Sequence, residues 1–409
     1  MHPTPFNLSL LGVLAGVAFP CVLLYGTVGI PDFLIQTNGN SLNLNHDLGI
    51  DKNKLKTVLK EAAMVDNTVI LTTLNEAWAA PGSVLDLFLR SFQTGERTAR
   101  LLKHLVIITM DQKAYEICKS NHSHCYALKT EGVDFSQEKL FLTEDYLKMM
   151  WRRIEFLRVV LEMGYDFIFT ATANHHPSWS FYPTLLSSGL SLLHQGADAD
   201  ADIMWFRDPM AFFYKDGDFQ IACDRFNGNP DDRTNSINGG FKYIKSNKKT
   251  IKFYKYWYDK RVEHPGAHDQ DVLNYIKGDK ILQDIGLSLK YLPTVHFGGI
   301  CEPSSDFSQV STMHANCCIG LKDKLNDLKI ILEDWRLYNT LPPSVKARQE
   351  HKWRVPQYND APLSPCISYD LTPWRRRGAF LPSGYGRGRF HQELRHPLLA
   401  EMSPLTRAE

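Results

Sequence analysis

Asp200 and Asp202 are two carboxylates separated by one small residue, Ala201. That spacing lets both reach a divalent ion shared with a diphosphate, because Mg²⁺ and Mn²⁺ prefer oxygen ligands and commonly share them with substrate phosphates. Two such groups do little unless a strand end presents them, so the elements around them matter. Residues 68–74 and 105–110 are β-branched apolar runs of strand length. Between them, residues 82–103 space Val84, Leu85, Phe88, Leu89 and Phe92 as a helix would. Strand, helix, strand implies a parallel βαβ unit.

A second helix is expected over 144–163, with Leu147, Met150, Trp151, Ile154, Leu157 and Leu161 on one stripe and Gly164 as its stop. A buried strand then runs over 165–170. In an open α/β sheet, ligands collect beyond the carboxyl ends of the strands, so the residues after Thr170 belong at the site. Residues 171–199 interrupt this logic: their one charged residue is Asp198, they carry three His, and removing them joins Thr170 directly to Asp200-Ala201-Asp202. A structureless stretch of that length inside a domain is unusual, and it reads as an insertion foreign to the fold or as a lid.

Six segments, in order, resemble those of the plant nucleotide-diphospho-sugar transferases of glycosyltransferase family 77, which includes arabinosyl- and xylosyltransferases of cell-wall glycans. They are TTLNEAW at 72–78, WRRIEFL at 151–157, DADIMWFRDP at 200–209, NGGF at 238–241, HDQD at 268–271 and HANCCIGL at 314–321. The resemblance implies an α/β fold of GT-A type, a mostly parallel sheet flanked by helices, and transfer with retention of configuration. It implies that Asp200, Asp202 and His314 bind Mn²⁺ or Mg²⁺ with the donor diphosphate. Thr73 and Asn75 would meet the nucleoside, Arg153 and Lys324 the leaving diphosphate, Asn238 and Gly240 the sugar, and Asp269 and Gln270 the face of the sugar being transferred. Blander roles compete: strand-end capping for Thr73 and Asn75, a solvated helix face for Arg153 and Lys324, a packed imidazole for His314, and a simple turn at 238–240.

The implied reaction moves a sugar of the arabinose, xylose or galactose class from a nucleotide-sugar donor, UDP-linked, to a glycan or glycoprotein acceptor. The alternative is a non-catalytic sugar- or nucleotide-binding relative disabled by residues 171–199. A haloacid-dehalogenase phosphatase also uses paired Asp, but its motif has Thr or Val where Met204 stands and comes after the first strand.

The 46 Lys and Arg against 45 Asp and Glu give no electrostatic reason to expect nucleic acid. Residues 8–30 hold no charge, long enough to cross a bilayer core of about 30 Å. A signal anchor over 1–30 is therefore expected, with a cleaved signal or a buried helix as alternatives, then a stem over 31–66, the catalytic domain over 67–357, and an Arg/Gly/Pro-rich disordered tail over 358–409. That layout implies a single-pass type II protein of the Golgi membrane with its enzyme in the lumen. Cys118 and Cys125 flank the N-glycosylation sequon at Asn121 and are the best disulfide pair for such a compartment.

Overall fold

The computed structural model describes residues 49–129, 135, 139–140, 143–170, 196–197, 201–316, 321–348 and 351–354. Helix α1 (Lys52–Ala62) is capped by Asp51 and puts Leu55, Leu59 and Ala62 into the core. The core therefore begins inside the segment expected to be a stem. Strand β1 (Thr68–Leu74) leads to α2 (Val84–Thr94), then β2 (Leu105–Thr109), α3 (Gln112–Asn121) and β3 (Cys125–Ala127). The expected helix over 82–103 stops at Thr94 because Gly95 turns the chain where the Trp205 carbonyl approaches: a Cβ there would lie 2.6 Å from that oxygen. A 3₁₀ turn, Ala99–His104, completes the stretch.

Helix α4 (Glu144–Glu162), with Thr143 as its cap, feeds β4 (Asp166–Thr170). The chain then forms β5 (Ile203–Trp205), β6 (Phe219–Arg225), β7 (Ser236–Ile244), α5 (Lys248–Lys260), α6 (Asp269–Ile276), β8 (Leu289–Tyr291), β9 (Phe297–Gly299), β10 (Thr312–His314) and α7 (Leu321–Thr340). The main sheet runs β8-β6-β7-β4-β1-β2-β3. It is mixed, because β7 lies antiparallel between β4 and β6 while the other pairings are parallel. Helices cover both faces, which is why β1 is buried at every position: Val69 and Leu71 pack on one side with Ile154, Phe169 and Trp257, and Ile70 and Leu74 on the other with Phe88, Trp205 and Trp335. A smaller sheet, β9-β10-β5, stands beside it.

The expectation of a membrane helix is corrected. Among the described residues no helix is long and apolar enough to cross a membrane. Segment 1–30, on which the anchor rested, lies outside those residues, as does the tail over 358–409. The signal anchor, the membrane as a partner and the Golgi type II placement have no support here and are withdrawn. Of residues 171–199 only 196–197 are described, paired antiparallel with 139–140. On either side of that stretch, Trp205 Nε1 donates to Thr170 Oγ1 at 3.0 Å.

Candidate functional site

The short ladder between β5 and β10 builds the centre of the site. Its register sets His314 opposite Ile203, and the Ala315 N–H donates to the Asp202 carbonyl at 3.1 Å. Residues far apart in the chain are thereby fixed side by side. Asp202 is fully buried. Lys324, in the first turn of α7, donates to Asp202 Oδ2 at 2.5 Å and to the Ala315 carbonyl at 2.8 Å. Burial alone would raise the Asp202 carboxyl, but the Lys324 ammonium and the His314 imidazole outweigh it and hold the group below its usual range.

His314 Nε2 stands 3.2 Å from Asp202 Oδ1 without hydrogen-bond geometry, so both buried atoms are left without a hydrogen bond. A cation bound between them would satisfy both atoms once the imidazole is neutral and Nε2 carries a lone pair, and a carboxylate with an imidazole is a donor set that Mn²⁺ accepts. These residues fit a divalent ion. Asp200, expected as the partner ligand, lies outside the described residues, and among those residues no group of three or more His, Cys, Asp or Glu gathers at one point. Ala201, between the two aspartates, is held at φ 123°, a conformation open almost solely to glycine.

A second cluster lies against this one. Asn238 Nδ2 and Asn316 Nδ2 both donate to Asp224 Oδ1, at 2.8 and 2.7 Å. The Gly240 N–H donates to Asn238 Oδ1 at 2.9 Å, and the Cys301 N–H to Asn316 Oδ1 at 3.1 Å. A small cavity lined by Asn238, Asn316, His314, Phe241 and Phe297 joins the two clusters. Gly299 makes room for it: a Cβ there would fall 2.5 Å from Asn316 Oδ1. Sequence reasoning passed over Asp224; its only signal was a carboxylate just after the apolar run Ile221-Ala222-Cys223.

At the start of α6, His268 Nδ1 accepts the Gln270 N–H at 3.1 Å and so caps the helix. Gln270 Oε1 accepts the Gly239 N–H at 2.7 Å. Asp269 Oδ2 accepts from Arg153 Nη2 at 2.8 Å, with both side chains almost wholly buried. Burial works against the Asp269 charge, but Arg153, His268 and Lys242 prevail and hold this carboxyl far below its ordinary value. Arg153 is thus engaged with Asp269 and does not stand on an open helix face.

Thr73 is buried near the carboxyl end of β1. Asn75 caps the short helical turn Glu76–Ala79, its Oδ1 accepting the Trp78 N–H at 3.2 Å, while its Nδ2 is buried with no partner. Cys118 and Cys125 form a disulfide joining α3 to β3, with Cα atoms 6.1 Å apart. The exposed Asn121 ends that helix, at the sheet edge and apart from the two clusters.

Residues 100–172 and 190–328 match the family described as nucleotide-diphospho-sugar transferase. The match passes over 173–189, inside the interrupting stretch but shorter than it. The Arabidopsis thaliana "Uncharacterized protein At4g15970" is 44% identical over 308 residues, covering 75% of this chain and 74% of its own. "Uncharacterized protein At1g28695" from the same plant is 36% identical over 291 residues, covering 70% and 78%. Among solved structures, a glycosyltransferase involved in the glycosylation of the major capsid of PBCV-1 overlaps 64% of this chain and 98% of its own, with 11% identity and a TM-score of 0.33, too slight a likeness to argue from.

Proposed function

This chain belongs to the nucleotide-diphospho-sugar transferase family and is an enzyme of the glycosyltransferase kind, and from that premise we propose metal-dependent transfer of a sugar, with retention of configuration, from a UDP-linked donor to a glycan or glycoprotein. The reading is that of family 77, with an arabinose-, xylose- or galactose-class sugar.

The observation that carries it is the buried juxtaposition of Asp202 Oδ1 and His314 Nε2, neither with a hydrogen bond, beside Lys324. Asp202 and His314, with Asp200, would hold Mn²⁺ or Mg²⁺, which when bound supplies positive charge to a leaving diphosphate. Lys324 adds a point charge at the same place, in a buried setting where charge acts more strongly than in water. Asn238, held by Asp224 and by the Gly240 N–H, keeps a second amide hydrogen for the sugar, Gly240 without a Cβ admits close approach, and Thr73 with the orphaned Asn75 Nδ2 provides donors for a nucleoside. Gln270 borders the Asn238–Gly240 stretch of β7, with Asp269, kept ionised by Arg153, next to it in α6, and the two would face the sugar being transferred.

The purified chain incubated with a panel of UDP-sugars, glycan acceptors and Mn²⁺, with EDTA controls, tests this. Transfer that needs the metal, giving a product with the donor's anomeric configuration, is expected. Nucleotide binding with no transfer from any donor, or transfer indifferent to EDTA, would sink it.

A further inference from the structure

Lys242 has no part in the proposed chemistry, yet it is fully buried in the middle of β7. Its ammonium lies over the Phe169 ring at 4.5 Å and near Trp257 at 5.6 Å. It donates to the Gly239 carbonyl at 3.1 Å. On the other side of the same glycine, the Gly239 N–H is taken by Gln270 Oε1. Gly239 is therefore gripped at both ends, by a lysine of its own strand and by an amide from α6.

That grip settles which way the Gln270 amide faces. A backbone N–H can be answered only by an acceptor, so the oxygen of Gln270 must be the end on Gly239, and the Nε2 end, which can only donate, is the one left over. We propose that Lys242 is a positioning residue for sugar transfer: by fixing the Gly239 carbonyl it holds the Gly239 N–H on Gln270 Oε1, so that Gln270 meets the substrate as a hydrogen-bond donor through Nε2. The ligand this suits is an oxygen acceptor, a hydroxyl or ring oxygen of the sugar or a departing phosphate oxygen. Arg153 and Asp269 belong to the same assembly, since Lys242 contributes to the field that keeps Asp269 ionised. The inference rests on the transferase reading of the site.

Gln270→Glu and Lys242→Met test it, singly and together, in the full chain with donor, acceptor and Mn²⁺. Gln270→Glu keeps an oxygen for Gly239 and loses the donor. It is expected to leave the Gly239 amide protected from hydrogen exchange while kcat falls about a hundredfold, as when one positioned donor is removed. Lys242→Met is expected to lower kcat by roughly tenfold or more with little change in donor KM, and to expose the Gly239 amide to exchange. If Lys242 acts through Gln270, the double variant is hardly slower than Gln270→Glu alone, whereas a purely structural lysine gives independent, multiplying losses. Wild-type kcat in Gln270→Glu, or multiplying losses in the double variant, overturns the proposal. Should Lys242→Met not fold, Lys242→Gln takes its place: kcat lost together with protection of the Gly239 amide is expected, and exposure of that amide with wild-type kcat overturns the proposal. Absence of any transfer by the wild-type chain is a separate result and counts against the transferase reading instead.

Discussion

Arg153 Nη2 donates to Asp269 Oδ2 across 2.8 Å with neither side chain in contact with solvent, tying the middle of α4 to the first residue of α6. Removing one member of a buried pair leaves the other charge uncompensated. Arg153→Met is expected to destabilise the fold by about 3–5 kcal/mol, and Arg153→Met combined with Asp269→Asn to recover much of that loss. Urea unfolding of the wild type and both variants checks it, and equal stabilities for the single and double variants would refute the pairing.

The same pair sets an acid limit. The Asp269 carboxyl is held below its ordinary 3.8 in the folded state, so its contribution is fully present above that value and disappears as pH falls toward the lower, folded one. Stability is therefore expected to decline from about pH 4 downward. In Arg153→Met, which lacks the main charge holding Asp269 down, the acid transition should move to higher pH. Fluorescence-monitored acid titration of both proteins reads the shift.

His314→Ala is the cleaner probe of the metal because it leaves Lys324 on Asp202. The variant is expected to need at least about tenfold more Mn²⁺ for half-maximal transfer, with turnover partly recovered at high metal. Asp202→Asn should be inactive at any Mn²⁺ concentration and less stable as well, since Lys324 then faces an amide. A Mn²⁺ requirement unchanged in His314→Ala would remove that residue from the site.

Ala201 offers a test of strain. Its φ of 123° costs on the order of 1–3 kcal/mol for a residue with a Cβ, while glycine adds up to about 1 kcal/mol of unfolded-state entropy. Ala201→Gly is therefore expected to raise stability by about 1 kcal/mol, read as a rise in Tm. A fall in Tm would mean that this backbone is not strained.

Cys118 and Cys125 close a short loop, so Cys118→Ser with Cys125→Ser should cost about 2–3 kcal/mol of stability under oxidising conditions and nothing under reducing ones. Asn121 is exposed beside them in an intact sequon, and when the chain is routed through a secretory host it should gain an endoglycosidase-sensitive mass.

Parts of this molecule can be read from residue type and others cannot. Strands β1, β2 and β4 stand out because a sheet covered on both faces makes every position apolar. Helix α1 is hard to see, since Leu55, Leu59 and Ala62 mark one face among seven polar neighbours and Val58, and its burial depends on a sheet assembled later in the chain. The insertion of β7 between β4 and β6 is a non-local choice that no short window contains. The meeting of Asp202 with His314 was expected from resemblance alone, because only the β5–β10 register explains it physically. The pairing of Arg153 with Asp269 was missed for the same reason: each was assigned a substrate contact, and neither motif names the other as its partner.

The β5–β10 ladder joins only three residues on each strand, in a sheet of three short strands. The central sheet, by contrast, is anchored by a seven-residue strand at its heart. Opening free energy differs between such regions, and the shorter ladder, buried though its residues are, is expected to open first. Because that ladder, with Lys324 bridging Asp202 and Ala315, aligns Asp202 with the His314 imidazole, fraying there would dismantle the proposed ion-holding centre while the main sheet stayed folded. Heat inactivation is therefore expected to precede global melting, the first governed by a few bonds around one short ladder and the second by the whole core.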